Sequence, residues 1–507
     1  MSKLPPHSLA SSSRPLGEPF HERQITVGDG GTWVPSAASA SSLFCALILA
    51  AGAVPRLWAA WFDQGIFWPD EIFQSVEQAH RLVFGYGITP WEFRAGARSW
   101  VFPGMIAGLL KLGSSIGLDT GFALILLVKT AMALVSVLTL YLTMRLAGDI
   151  AGSRAAVLAG LLAVFFPVSL LLAARSLSEV ATAPVLLGSY MLSRRDGRER
   201  QLLSGALAGL AICMRYQSGL VALGILAIIL SERRLKDAMW FAAGASVLGL
   251  LGGMLDWLTW GKPFYAFKKY LYFNIKKSGA KFGSYPFTYY ATVSWSAVGP
   301  SVLVFVLAFL GGLRRSWKPG LLVLSYVVVH SIVPHKEYRF LMPVVPFGLA
   351  IAGCGLAALI TRIRAPGWSA TLVASLCALA MGYNTTQLTW GKLGFPSDRG
   401  DRSPWHSGEG INRLLWAAGE RDDVCGLMVT GESFGWIGGY SYFHRDVNLF
   451  PDNDESTRLA ANYLIAPAHA SAPSGYVEVD KSQGSALLKR PGGCAAPMPE
   501  YRRELPY

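Results

Sequence analysis

Two clusters of charged and aromatic residues interrupt an otherwise apolar chain. The first is Trp68-Pro69-Asp70-Glu71-Ile72-Phe73-Gln74, followed by Glu77, His80, Arg81, Trp91-Glu92-Phe93-Arg94 and Arg98-Ser99-Trp100. If residues 70–81 are helical, the spacing places Asp70, Gln74, Glu77 and Arg81 on one face. Aromatics between them would seat that helix at a membrane interface. Such a face either presents carboxylates to a substrate or lies solvated on lipid headgroups. The second cluster is Pro334-His335-Lys336-Glu337-Tyr338-Arg339-Phe340. Charges set this tightly between apolar segments are costly unless paired or used. Lys336 and Arg339, three apart on a helix, could clamp a phosphate; the plainer reading is a row of snorkelling anchors. Arg175, Glu179 and Arg215 fall at the ends of other apolar segments, where they complete a site or form ordinary helix-end ion pairs.

The elements that must position these groups are membrane helices. Of 507 residues, 52% are hydrophobic and 15% charged, and the mean hydropathy is +0.37. A soluble domain carries roughly 25% charged residues. Apolar runs occur at Leu43–Trp61, Phe122–Leu146, Ala155–Ala173, Val180–Leu192, Leu202–Met214, Leu220–Leu230, Ala238–Trp260, Val293–Leu313, Leu321–Pro334, Leu341–Ile360 and Trp368–Leu388. They predict about eleven spans, several of them shorter than a straight crossing needs and so broken or tilted. The net charge of +13 invites a nucleic-acid partner. The basic residues argue against one, because they fall in short clusters between spans.

Arg194, Arg195, Arg198 and Arg200 form one such cluster; Arg233, Arg234 and Lys236, then Arg314, Arg315 and Lys318, then Arg362 and Arg364 form others. The positive-inside rule places them together in the cytoplasm. Residues 1–40, rich in Ser, Pro and Gly, then read as a disordered cytoplasmic tail, and residues 41–388 as the transmembrane domain with a first outward loop at 62–121. The loop at 261–290 faces outward yet holds Lys276 and Lys277 among six lysines. These suit an anionic ligand or anionic headgroups.

Residues 389–507 read as a small outward α/β domain, with a helix at Ile411–Ala418 and strands at Val424–Val429, Asn462–Ile465, Tyr476–Val479 and Ala486–Leu488. Cys425 and Cys494 flank it in a compartment that permits disulfides. A bridge between them is expected, with two buried free thiols as the alternative.

At the charged clusters the sequence resembles glycosyltransferase family 22, the mannosyltransferases of glycosylphosphatidylinositol-anchor and N-glycan precursor assembly and their bacterial relatives. Pro69-Asp70-Glu71, Phe73-Gln74, His80-Arg81, Phe84-Gly85-Tyr86-Gly87, Trp91-Glu92-Phe93-Arg94 and Arg98-Ser99-Trp100 are similar to its first-loop pattern. His335-Lys336-Glu337-Tyr338-Arg339-Phe340 is similar to its second signature. Gly283-Ser284-Tyr285-Pro286-Phe287 and Arg175-Ser176-Leu177-Ser178-Glu179 resemble two further elements. Trp68 and Arg215-Tyr216-Gln217 depart from the family's usual residues.

The resemblance implies a GT-C fold, an α-helical polytopic bundle with its active site on the extracytoplasmic face. It implies an inverting transfer of a hexose, mannose above others, from a polyprenyl-phosphate (dolichyl-type) donor to a glycolipid or lipid-linked oligosaccharide. Asp70 is then the expected general base, with Glu71 as its alternate. His335, Lys336 and Arg339, assisted by Lys276 and Lys277, would hold the departing phosphate. Glu77, His80, Arg81, Arg98, Arg175, Glu179, Arg215 and Glu337 would shape the acceptor site. Neither a cofactor nor a metal is expected, and membrane lipid is a partner. The Ala-, Gly- and Arg-rich spans favour a bacterial inner membrane over an endoplasmic reticulum. A lipid or glycan transporter, or a non-catalytic scaffold of a glycan-assembly complex, is the competing reading.

Overall fold

The computed structural model describes residues 37–274, 283–395, 399–451, 455–494 and 503. Residues 1–36 of the expected tail, and Lys276 and Lys277, lie outside the described residues. The bundle and the sheet belong to one compact unit, Ser41–Tyr507.

The apolar runs become helices α1 (Ala37–Phe62), α2 (Glu77–Phe84), α3 (Val101–Ser115), α4 (Gly121–Ala151), α5 (Ser153–Val164), α6 (Ser178–Ser193), α7 (Arg198–Met214), α8 (Gly219–Ser231), α9 (Leu235–Trp260), α10 (Ser301–Ile332), α11 (Val345–Arg362), α12 (Gly367–Thr386) and α13 (Glu409–Gly419). Of these, α2 and α13 are short amphipathic helices outside the expected apolar runs, and α3 is a 15-residue apolar helix inside the expected first outward loop. Within the described residues, Ser42–Phe62, α4, α9 and α11 are each long and apolar enough to cross a membrane alone. Three expected runs differ. The run at Val293–Leu313 breaks at Gly299, which leaves Tyr289–Val298 as a separate helix before α10. The run at Ala155–Ala173 breaks after Val164, because Pro167 cannot continue a helix and instead opens a new turn at Pro167–Leu171. The runs on either side of Arg314 join into α10, which is kinked at Ser316 (φ −128°, ψ 32°). Pro319 supplies no N–H for the Arg315 carbonyl, so the ladder opens there.

Helix pairs meet through small residues. A side chain at Gly205 of α7 would strike the Phe241 carbonyl of α9, and one at Gly355 of α11 would strike the Ala308 carbonyl of α10. Lipid supplies no hydrophobic drive between helices, so such close backbone approach contributes the dispersion contact that holds the bundle.

The C-terminal part folds as expected into a helix and a sheet. Strands β1 (Gly426–Val429), β2 (Asn448–Phe450), β3 (Tyr463–Pro467), β4 (Val477–Ser482) and β5 (Ser485–Lys489) lie in the order β2-β1-β3-β5-β4. β2, β1 and β3 are parallel, and β5 is antiparallel to β3 and β4. Gln483 and Gly484 both take positive φ in the β4–β5 turn, the backbone a two-residue hairpin requires. A disulfide joins Cys425 to Cys494 across 69 residues.

This part packs directly on the first loop. Gln64 accepts from Asn412 Nδ2 at 2.8 Å through its carbonyl, and Ile66 donates to the Ser407 carbonyl at 2.7 Å. Trp68 stacks among Phe395 and Trp436, with ring centroids 4.7 and 5.2 Å away.

Candidate active site

Pro69 at the start of a helical turn presets the backbone φ a first turn needs and places Asp70 and Glu71 in it. The two carboxylates then separate. Asp70 lines a narrow open cleft, together with Gln74, Arg98, Ser176, Glu179, Arg215, Gln217 and Tyr270. Its side chain keeps 23% of its exposure. Glu71 turns inward instead and accepts from the Phe67 backbone N–H at 2.5 Å. Arg175 lies 3.6 Å from it and also pairs with Asp63. Burial raises the Glu71 carboxyl above its ordinary range, with Arg175 and Lys129 partly offsetting it. Glu71 and Arg175 therefore brace the loop behind the cleft.

The single helical face expected over residues 70–81 does not form. Residues Ile72–Val76 make a π-helical turn between two α-helical pieces. One extra residue in a turn rotates everything after it by roughly 100°. Asp70 and Gln74 stay on the cleft, while Glu77 swings toward the C-terminal part. There its fully buried carboxylate accepts backbone N–H groups of Ile88 (2.7 Å), Tyr440 (3.1 Å) and Ser441 (2.8 Å). His80 bonds the Tyr86 carbonyl at 3.0 Å and His444 Nδ1 at 2.9 Å. Burial, and then His444, push its imidazole down to about 3, so it is neutral. Arg81 donates to Gln78 at 2.7 Å. Glu77 and His80 join the loop to the C-terminal part, Arg81 stays within its own helix, and none of the three lines the cleft.

The second cluster also departs from the helix expected of it. Glu337 is extended (φ −137°, ψ 141°), and a 3-10 turn at Tyr338–Leu341 follows. In an extended stretch alternate side chains share a side. His335, Glu337 and Arg339 therefore group together, and Lys336 points away, donating to the carbonyls of Tyr285 (2.9 Å) and Val333 (2.5 Å). Lys336 thus ties two loops together and does not clamp a ligand beside Arg339.

Arg339 is the hub. Its guanidinium meets Asp70 at 2.7 Å, Glu337 at 2.6 Å and Glu179 at 3.2 Å. His335 Nε2 sits 3.0 Å from the other Glu337 oxygen. Burial alone would raise the Glu337 carboxyl, but Arg339 and His335 outweigh it and hold it low. Arg215 reaches Glu179 at 3.0 Å through Nη1. Its buried Nε and Nη2 have no hydrogen-bond partner among the described residues. Buried donors of this kind carry a full desolvation cost until an acceptor arrives. The cleft thus offers an open carboxylate, Asp70, on one wall and the Arg215 guanidinium on another.

Several polar groups here had no assigned role in the sequence reading. Glu92 accepts from Gln74 at 2.7 Å; burial, opposed by Arg98 and reinforced by Asp70, pushes it up to about 7. Lys129 donates to the Asp63 carbonyl at 2.5 Å and to Gln64 at 2.9 Å. A lysine inside an apolar helix was the available signal for that contact. Asp63, His406 and Glu409 bring ligand atoms within 4.8 Å of one another. Arg175 already pairs with Asp63, and Arg413 with Glu409 at 2.6 Å, so the trio acts as an ion-paired clasp.

Comparison with known proteins agrees with this architecture. The bound and unbound forms of ArnT from Cupriavidus metallidurans resemble the chain with TM-scores of 0.60 and 0.59; the form bound to undecaprenyl phosphate is 14% identical and covers 91% of this chain and 100% of ArnT. The Archaeoglobus fulgidus oligosaccharyltransferase gives 0.52 at 11% identity, covering 84% of this chain and 69% of that one. The fold is therefore GT-C, and the chain is an integral membrane protein. Mannosyltransferase APTG1 of Arabidopsis thaliana is 28% identical over 320 residues, 60% of this chain and 57% of the relative. GPI mannosyltransferase 3 of Drosophila melanogaster is 30% identical over 312 residues, 58% of this chain and 54% of the relative. The chain spans less than two thirds of the length of the curated relatives it matches. The sequence profile of one family matches residues 47–389, which include every residue of the cleft: the chain belongs to the Alg9-like mannosyltransferase family.

Proposed function

We propose that this protein transfers a hexose, mannose above others, from a polyprenyl-phosphate donor to a hydroxyl of a lipid-linked glycan or glycolipid, with inversion. The observation that carries the reading is one cleft lined by both Asp70, an open carboxylate held by Arg339, and the Arg215 guanidinium. Asp70 takes the acceptor hydroxyl's proton as the new C–O bond forms. On the opposite side of the anomeric carbon, the bond to the phosphate oxygen breaks. The departing polyprenyl phosphate gains negative charge, which Arg215 meets in a site partly shut from water, while Arg339, 2.7 Å from Asp70, holds the base in place. A guanidinium group, rather than a metal ion, supplies the positive charge in this mechanism. Arg98 and Gln74 flank the base and orient the acceptor. The positive-inside rule, applied to the basic clusters at the far ends of the helices, supports an extracytoplasmic cleft. That side is the periplasm of a bacterial inner membrane or the lumen of an endoplasmic reticulum.

The test is sugar transfer from a polyprenyl-phosphate hexose by purified wild type and Asp70→Asn. Loss of a general base costs roughly 10²–10⁴-fold in rate. Unchanged transfer by Asp70→Asn would sink the base assignment. If wild type transfers from no such donor, the enzyme reading yields to the transporter or scaffold.

A further inference from the structure

A second charged cavity lies at the opposite ends of the helices that build the cleft. It offers a volume of about 340 Å³ between the C-terminal ends of α4, α6 and α8 and the kink of α10. Small-ligand clefts run to roughly 300–1,000 Å³. The 16 residues of α6 separate it from Glu179 and the cleft by about 24 Å.

Most of its lining charges have partners. Arg234 meets Asp196 (3.0 Å), Glu232 (3.1 Å) and Asp237 (2.9 Å), and Lys318 pairs with Glu232. Arg194 and Arg315 also line the cavity. Both are exposed, and no ion pair or hydrogen bond of either side chain occurs among the described residues. The kink at Ser316 carries Arg315 and the exposed Trp317 to this rim. An indole beside uncompensated guanidinium groups is the composition of a headgroup-level site. The positive-inside rule puts this end in the cytoplasmic leaflet, where anionic lipids collect.

We propose that this cavity binds the phosphate ester of an anionic membrane lipid between Arg194 and Arg315, at a site separate from the catalytic cleft. A lipid is favoured over free phosphate because the cavity is walled by membrane helices and carries apolar Ile228 and Ile229 beside the arginines. Its occupant would brace the α10 kink against α6 and α8. The proposal does not depend on the reaction assigned to the cleft.

To test it, full-length protein is reconstituted with equal parts of phosphatidylcholine and phosphatidylglycerol, re-extracted in neutral detergent, and its retained lipid measured by mass spectrometry. Wild type should retain phosphatidylglycerol preferentially. Arg194→Gln combined with Arg315→Gln should lower that retention roughly tenfold or more, from two surface charges lost. The charge-keeping pair Arg194→Lys and Arg315→Lys should restore it, which separates loss of the site from loss of the fold. Arg362→Gln with Arg364→Gln, exposed basic residues outside the cavity, should leave it unchanged. Equal retention by the Gln pair, equal loss in the Arg362/Arg364 control, or no preference for the anionic lipid would overturn the proposal. Displacement of the lipid by inorganic phosphate would overturn the lipid as occupant in favour of the soluble anion.

Discussion

Replacing Arg339 by glutamine should destabilise the protein by about 3–5 kcal/mol, the usual cost of removing one partner from a buried ion pair. The magnitude follows from exposure. Arg339 and Glu179 keep 3% of their side-chain exposure and Glu337 keeps 5%, so the small values of surface pairs do not apply. Three carboxylates surround the guanidinium within 3.2 Å. Without it, Glu179 keeps Arg215 and Glu337 keeps His335, and Asp70 loses the ion pair to Arg339. At an effective dielectric of 20, each new carboxylate repulsion at about 4 Å approaches 4 kcal/mol before relaxation.

The assay is thermal unfolding in mild detergent of Arg339→Gln, Glu337→Gln and the double variant, across pH. Removing Glu337 from the Arg339→Gln background should recover roughly 0.5–3 kcal/mol, the range for coupled neighbours. The pH slopes should also oppose each other. In wild type the depressed Glu337 carboxyl contributes stability above its ordinary pKa, and this is lost as pH falls. In Arg339→Gln the same carboxyl repels its neighbours, so falling pH relieves strain and stability rises. A melting point equal to wild type, or strict additivity in the double variant, would refute the reasoning.

Glu92 gives a pH signature of opposite sign. Its folded pKa of about 7 lies above the ordinary 4.5, so stability is full below pH ~4.5 and falls as pH rises through ~7, by about 3 kcal/mol; Glu92→Gln should flatten that fall in a melting series. Glu77→Gln should cost about 1–3 kcal/mol by weakening the acceptor for three buried N–H groups, read as faster hydrogen exchange over residues 438–445. Serine at Cys425 and Cys494 opens a loop of 69 residues and should cost about 2–4 kcal/mol, seen as earlier proteolysis of the C-terminal sheet, with the bundle's melting unchanged.

Apolar period and length made the helical bundle legible from the chain, and alternating runs did the same for four of the five strands. β2, three residues long, is too short to show alternation. The bundle's breaks at Pro167 and Pro319 sit at prolines that local rules would have flagged. Site residues were legible as residue types and much less as geometry. Spacing rules assume a uniform α-helix, and the π turn at Ile72–Val76 moved Glu77 off the shared face. The extended Glu337 likewise sent Lys336 and Arg339 to opposite sides. Partners such as Tyr440 for Glu77 and His444 for His80 lie more than 360 residues away, beyond any local pattern.

That separation sets an order of events during biogenesis. The loop bearing Asp70 leaves the ribosome early, yet the backbone N–H groups that solvate Glu77 come 363 and 364 residues later. At synthesis rates of 5–20 residues per second the wait is roughly 20–70 s. Through that interval Glu77 lacks two of its three backbone N–H partners, whereas Asp63 and Glu71 already have Arg175. The C-terminal part therefore docks on the first loop last, and a chain truncated before Tyr440 would leave the Glu77 carboxylate buried without the two N–H groups that solvate it.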